Sequence, residues 1–234
     1  MYLLVNNLFN IEDVNFIGAF LYGSQNYMLD TADSDKDVII LLTENDKSHK
    51  EIRTSSGIVK IYTLKYFLSC LKNGDMECYE ILYTKHRIIN IKYEKVFDSF
   101  VVDFTKVLNI DRIKWSLGKK LFEHLSNVTW IPFNKDNSKY HRKRVYWSYR
   151  VFDQLTRIIN GESFNTTFVY NLLKRDRLMK IKTIPNYLAL KELNNDLEEM
   201  YGIFSILPKN YIKPNEKEDD CLSYFYNTIN SFFE

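Results

Sequence analysis

Apolar residues recur at two different spacings along the chain, and the change from one to the other divides it. In the first part the runs are short. The segment NFIGAFLY over 15–22 is almost continuously apolar and ends at Gly23-Ser24, which predicts a buried strand running into a tight turn. After a loop or short helix over 25–32, DVIILL over 37–42 predicts a second buried strand. Two alternating segments within 51–62 flank Ser55-Ser56-Gly57, the pattern of a β-hairpin. Thr63 is placed to cap a helix in which Phe67, Leu68 and Leu71 recur at helical spacing and which Asn73-Gly74 ends. A second short helix is predicted over 77–82.

Past residue 97 the strand pattern fades. Apolar positions then follow the helical period through 122 and over 139–159, 166–178, 187–203 and 219–233, with loops at 134–138 and 207–215. Strands first and helices afterwards predict an α+β chain: a mixed-sheet core over 1–97, followed by a helical C-terminal half over 98–234 packed on that core.

Composition narrows the function classes only a little. At 234 residues, 45% hydrophobic and 26% charged, the chain has the make-up of a soluble globular protein. Lys and Arg number 32 against 30 Asp and Glu, so the overall charge announces neither a nucleic-acid nor a membrane partner, and any anion site must be local. No stretch approaches the roughly 18 apolar residues needed to span a bilayer, and the opening residues lack a basic segment followed by an apolar one, so a cytoplasmic protein is expected. Cys70, Cys78 and Cys221 show no metal-ligand spacing and cannot all pair with one another; they are expected to be packing residues in a reducing compartment. His49, His86, His124 and His141 show no metal spacing either, and Trp115, Trp130 and Trp147 are expected mainly in the core.

The chemistry concentrates at the end of the first strand and the start of the second. Side chains two apart on a strand share a face, so Asp35 and Asp37 would grip a common cation. Oxygen ligands suit Mg²⁺ or Mn²⁺, and such ions stabilise the attacking and leaving oxygens of an in-line displacement at phosphorus. Gly23 lets the backbone approach a phosphate, whose oxygens the nearby amides and the Ser24 hydroxyl would bind. Asp33, Asp35, Asp37 and Glu44 also match part of a calcium-loop pattern, but Val38 stands where that loop turns on Gly, and an apolar run follows.

Gly23-Ser24 followed by Ser34-Asp35-Lys36-Asp37 resembles the signature of the DNA polymerase β-like nucleotidyltransferases. The likeness extends through Ile61-Tyr62-Thr63-Leu64-Lys65-Tyr66-Phe67, Lys72-Asn73-Gly74-Asp75 and Glu80-Ile81-Leu82, which look like the branch of that superfamily found beside RNA ligases and common in phages. Gly161-Glu162 and Ser205-Ile206-Leu207-Pro208 resemble it more sparsely. The resemblance implies a polymerase-β-like mixed sheet with flanking helices. It also implies metal-dependent transfer of a nucleoside monophosphate from a nucleoside triphosphate to an acceptor, which across the superfamily ranges from nucleic-acid ends to proteins and small molecules; RNA such as a tRNA end in repair is the acceptor expected first. Asp35 and Asp37 would hold Mg²⁺ or Mn²⁺, and Gly23 and Ser24 would contact the triphosphate.

Two departures from the family pattern bear on activity. The superfamily usually carries a third carboxylate on a neighbouring strand, where this chain has Lys60; Glu51 and Glu80 are the candidate substitutes. Without that acid the acceptor hydroxyl lacks its expected base, leaving a catalytically silent nucleotide- or RNA-binding protein, or a regulatory interaction partner, as the alternatives. Relatives also tend to show Lys-x-x-x-His-x-x-Arg on a basic helix, matched here by Lys143, Trp147 and Arg150. Lys139, Lys143, Tyr146 and Arg150 form one helical stripe and Val145, Tyr149, Phe152 and Ile159 another expected to face the core; Lys143 and Arg150 would bind the outer phosphates. A second cluster, Lys174, Arg175, Arg177, Lys180 and Lys182, would either track an RNA backbone or complement the end of its own helix.

Overall fold

A computed structural model describes residues 13, 15–27, 29–30, 34–44, 48–129, 138–170 and 172–233, without the side chains at 25, 129, 138–141 and 172. Trp130, Asp33 and the side chains of Lys139 and His141, all singled out above, therefore lie outside the described residues. The chain is α+β, with a five-stranded mixed sheet and, among the described residues, eight α-helices. It forms two compact units, Met1–Asn109 with Lys213–Glu234, and Ile110–Ile212.

The first unit contains the sheet. Its strands are β1 (Phe16–Tyr22), β2 (Asp37–Leu42), β3 (His49–Thr54), β4 (Gly57–Thr63) and β5 (Arg87–Ile89), in the order β3-β4-β2-β1-β5. Only β2 and β4 run parallel. β1 is buried at all seven positions, which is why its sequence shows no alternation. Cross-strand pairing sorts the side chains onto two faces. One carries Ala19, Leu21, Val38, Ile40 and Val59 in a continuous apolar cluster. The other carries Phe20, Ile39, Leu41 and Tyr62 and, at one end, Tyr22, Asp37, Lys60 and Glu51.

Helices α1 (Leu64–Lys72), α2 (Met76–Tyr83), α3 (Glu94–Val107) and α8 (Glu216–Asn230) complete this unit. As expected, Thr63 caps α1, its side chain accepting from the Tyr66 amide. Gly74 takes a left-handed φ of 76° and stops the helix, and Asp75 then caps α2 through the Glu77 amide. Phe97, Phe100 and Phe104 form the buried stripe of α3; Phe97 stacks on Phe20 of the sheet at 5.2 Å and Phe100 on Phe225 of α8 at 4.1 Å. The expected boundary at 97 lies inside α3, and α8 belongs with the sheet rather than with the helices before it. Glu218 closes the capping box of α8 with Asn215, and its carboxylate also accepts from the Asn109 amide. Two chain segments far apart in sequence are thereby joined at one buried acid.

The second unit holds α4 (Ile110–Thr129), α5 (Ser138–Ile159), α6 (Leu172–Thr183) and α7 (Asn186–Gly202). The helix expected over 166–178 begins later. Residues Phe164–Phe168 form a 3-10 turn instead, because Thr166 and Thr167 hydroxyls bond the carbonyls of Ser163 and Phe164 and compete with a continuous α-helix. No helix among the described residues is long and apolar enough to cross a membrane.

Candidate active site

The turn after β1 begins at Gly23, whose φ of +78° is left-handed and favours glycine. A side chain added there would start 3.6 Å from the Asp37 carboxylate, so the turn and the first residue of β2 are immediate neighbours, as the Tyr22–Asp37 register requires. Residues Gly23–Gln25 form a single 3-10 turn, and the Ser24 carbonyl accepts from the Leu29 amide.

Glu80 holds this turn in place. It lies on α2, is only 4% exposed, and accepts from the Gly23 amide at 2.5 Å, from Asn26 Nδ2 at 3.3 Å and from the Tyr27 hydroxyl at 3.0 Å. Its two oxygens thus face three donors contributed by the turn. A carboxylate in that position organises the backbone around Gly23.

The hairpin between β3 and β4 secures the other half of the motif. The Lys36 amide donates to the Ser56 carbonyl at 2.7 Å, and the Ile58 amide donates to Asp37 Oδ1 at 3.0 Å. Gly57, at φ +147°, passes so close to Lys36 that a Cβ would sit 2.6 Å from its carbonyl oxygen. The Ser55-Ser56-Gly57 pattern therefore does more than close a hairpin: it grips the segment that carries the aspartates. Asp37 is half-buried at the first position of β2, whereas Asp35 is exposed and precedes the strand. The strand alternation that suggested a shared face thus applies from Asp37 onward and does not position Asp35.

Neither substitute acid, among the described residues, is grouped with Asp35 and Asp37. Among the described residues, His, Cys, Asp and Glu side chains meet as a possible metal-holding group of three at one place only, and it includes neither aspartate. Glu51 stands opposite Lys60 in the β3–β4 register and pairs with Arg53 at 3.3 Å, while Glu80 serves the turn. An acid not singled out from sequence, Glu77, is placed by α2 against Lys60 and accepts a short hydrogen bond from its ammonium group, which also lies 5.2 Å over the Tyr22 ring. Its signal in the sequence was the i, i+3 spacing with Glu80 on one short helix. The acidic surroundings show in Tyr22: burial raises its phenol well above the ordinary range, and Glu77, Asp37, Glu80 and Glu51 raise it further.

Lys143 and Arg150 belong to the helical unit. Lys143 is exposed, with its ammonium 5.1 Å from the Trp147 ring, and Arg150 is half-buried. Val145 and Tyr149 are buried as expected, but Phe152 and Ile159 of the same stripe are only half-buried and Tyr146 of the other is buried, so the two stripes of α5 are not cleanly separate. Tyr146 carries Lys182 over its ring at 5.5 Å. Much of the second basic cluster is engaged within its own unit: Lys174 with Asp153, Arg177 with Asp196 and Lys180 with Glu192. Gly161 has a left-handed φ of 84° after α5, and Glu162 locks onto Arg157, so this pair has a structural role at the helix end. His124 is buried beside Arg144, whose guanidinium lies 2.9 Å from Nδ1. Burial first, then Arg144, Lys120 and Arg150, hold its pKa down at about 3.

Cys70 and Cys78 are buried, as expected of packing residues, and Cys221 is half-buried. The Gly74 reversal brings Cys70 of α1 and Cys78 of α2 together with Asp75, so that one ligand atom from each lies within 4.8 Å of the others. Spacing in sequence concealed this because the approach depends on a helical hairpin. Set against known proteins, the chain matches no family's sequence profile, and no curated protein is significantly similar to it.

Proposed function

We propose that this chain is a metal-dependent nucleotidyltransferase of the polymerase-β-like type, moving a nucleoside monophosphate from a nucleoside triphosphate to an acceptor, with RNA the first acceptor to try. The observation that carries this is the Gly23 turn set directly against Asp37 and fixed from both sides, by Glu80 and by the β3–β4 hairpin. A left-handed glycine after a buried strand would let a phosphate approach the turn closely, beside the Ser24 hydroxyl and a carboxylate suited to a hard cation, while the Gly23 amide itself is taken by Glu80. The oxygen donors of Asp35 and Asp37 fit Mg²⁺ or Mn²⁺, which would neutralise charge on the triphosphate when bound. The chain's own residues position and hold: Gly57 and Ser56 fix the aspartate segment, and Glu80 shapes the turn.

A silent nucleotide-binding protein is the second reading, and a specific observation favours it. Lys60, where the superfamily carries an acid, is tied to Glu77, and no third carboxylate among the described residues forms a group with Asp35 and Asp37. Equilibrium binding of each nucleoside triphosphate with Mg²⁺ or Mn²⁺, followed by incubation with total RNA or protein, separates the two. Binding with label transfer supports the enzyme; binding without transfer supports the silent protein. Absence of triphosphate binding refutes both.

A further inference from the structure

We propose that Cys70, Asp75 and Cys78 form a site for a thiophilic divalent cation, Zn²⁺ by class, that clasps the α1–α2 hairpin. The site is independent of the aspartate pair and of any nucleotide chemistry. Its geometry follows from the chain. Gly74 reverses the backbone at φ 76°, the Asp75 amide bonds the Cys70 carbonyl at 2.9 Å, and Cys78 follows in the first turn of α2. Three ligand atoms thereby converge within 4.8 Å of one another, a spacing that small movements reduce to that of a shared ion.

The donor set selects the metal. Two sulfurs and one carboxylate are a poor match for Mg²⁺ or Ca²⁺ and a good one for Zn²⁺, with water completing the tetrahedron. Cys70 and Cys78 are buried while Asp75 is half-buried, so the carboxylate side is where solvent and metal would enter. On the same face of α1, four residues before Cys70, Tyr66 is stacked by His49 at 4.6 Å. Binding releases the thiol protons and leaves the oxidation state of sulfur unchanged.

Helix α2 also carries Glu80, so a metal here would steady the helix that holds the Gly23 turn. The test uses the reduced, full-length chain and Co²⁺ as a spectroscopic substitute for Zn²⁺. The expected result is one equivalent of Co²⁺ giving thiolate-to-cobalt charge-transfer absorption that Zn²⁺ displaces. Cys221→Ser retains it, and Cys70→Ser and Cys78→Ser lose it. Asp75→Asn keeps a good helix cap and so remains folded, but it removes the anionic ligand. It should weaken Co²⁺ binding by on the order of tenfold or more, since even outer-shell partners of a metal site carry that much. Absence of the band from wild type, or its survival in both Cys70→Ser and Cys78→Ser, overturns the proposal, as does unchanged affinity in Asp75→Asn.

Discussion

Replacing Glu80 separates two roles for a buried acid. In Glu80→Ala, the Gly23 amide and the Tyr27 hydroxyl lose their acceptor inside the protein, while the half-buried Asn26 amide can turn to water. Loss of these two buried acceptor contacts, at roughly 1–3 kcal/mol each, predicts a loss of about 2–6 kcal/mol of stability. Glu80→Gln keeps the shape, places a carbonyl oxygen toward Gly23 and Asn26, and leaves an amide against the Tyr27 hydroxyl, which can rotate to accept. Its cost should be about 1 kcal/mol. Urea unfolding followed by circular dichroism gives both values. If Glu80 is a structural clamp, the alanine variant falls far below the glutamine variant, and Glu80→Gln retains whatever transfer activity the wild type has. Equal stability of the two variants, or a stable Glu80→Gln protein whose transfer is abolished, would refute the clamp and return Glu80 to the chemistry.

Gly57→Ala should destabilise by more than Gly161→Ala, because the first forces a Cβ to 2.6 Å from the Lys36 carbonyl whereas the second meets nothing within 4 Å and carries only the left-handed strain of roughly 1–2 kcal/mol; thermal midpoints of the two variants check the order. Acid should weaken the helical unit through His124. With its folded pKa held down to about 3 from an ordinary 6.5, the stability it contributes is present above 6.5 and is lost as pH falls through that window, so the urea midpoint should fall between pH 7 and pH 4 and fall less in His124→Gln.

Sequence patterning revealed the sheet best where burial was complete or turn chemistry was explicit. β1 and β2 are buried runs ending at a glycine turn and at Leu42, and Thr63 and Gly74 frame α1 as the capping rules require. β5 escaped because three residues at a sheet edge show too little periodicity. The division at α3 and the return of α8 to the sheet were hidden because both rest on long-range contacts, Phe100 with Phe225 and Asn109 with Glu218. At the candidate site, Gly23 and Asp37 were legible as neighbours-to-be, since a strand and its antiparallel partner bring their ends together. The roles of Glu80 and Gly57 were not legible, because each depends on an element packed from elsewhere onto the motif. The approach of Cys70 to Cys78 and Asp75 was hidden for the same reason.

The most direct test of nucleotidyl transfer at Gly23, Asp35 and Asp37 compares triphosphates labelled at the α- and the γ-phosphate, incubated with Mn²⁺ or Mg²⁺ and total RNA or protein. Transfer of a nucleoside monophosphate predicts that the α-label enters an acceptor, the γ-label does not, and Asp35→Ala/Asp37→Ala abolishes incorporation. Incorporation of the γ-label instead, or α-label incorporation that survives the double substitution, would contradict it.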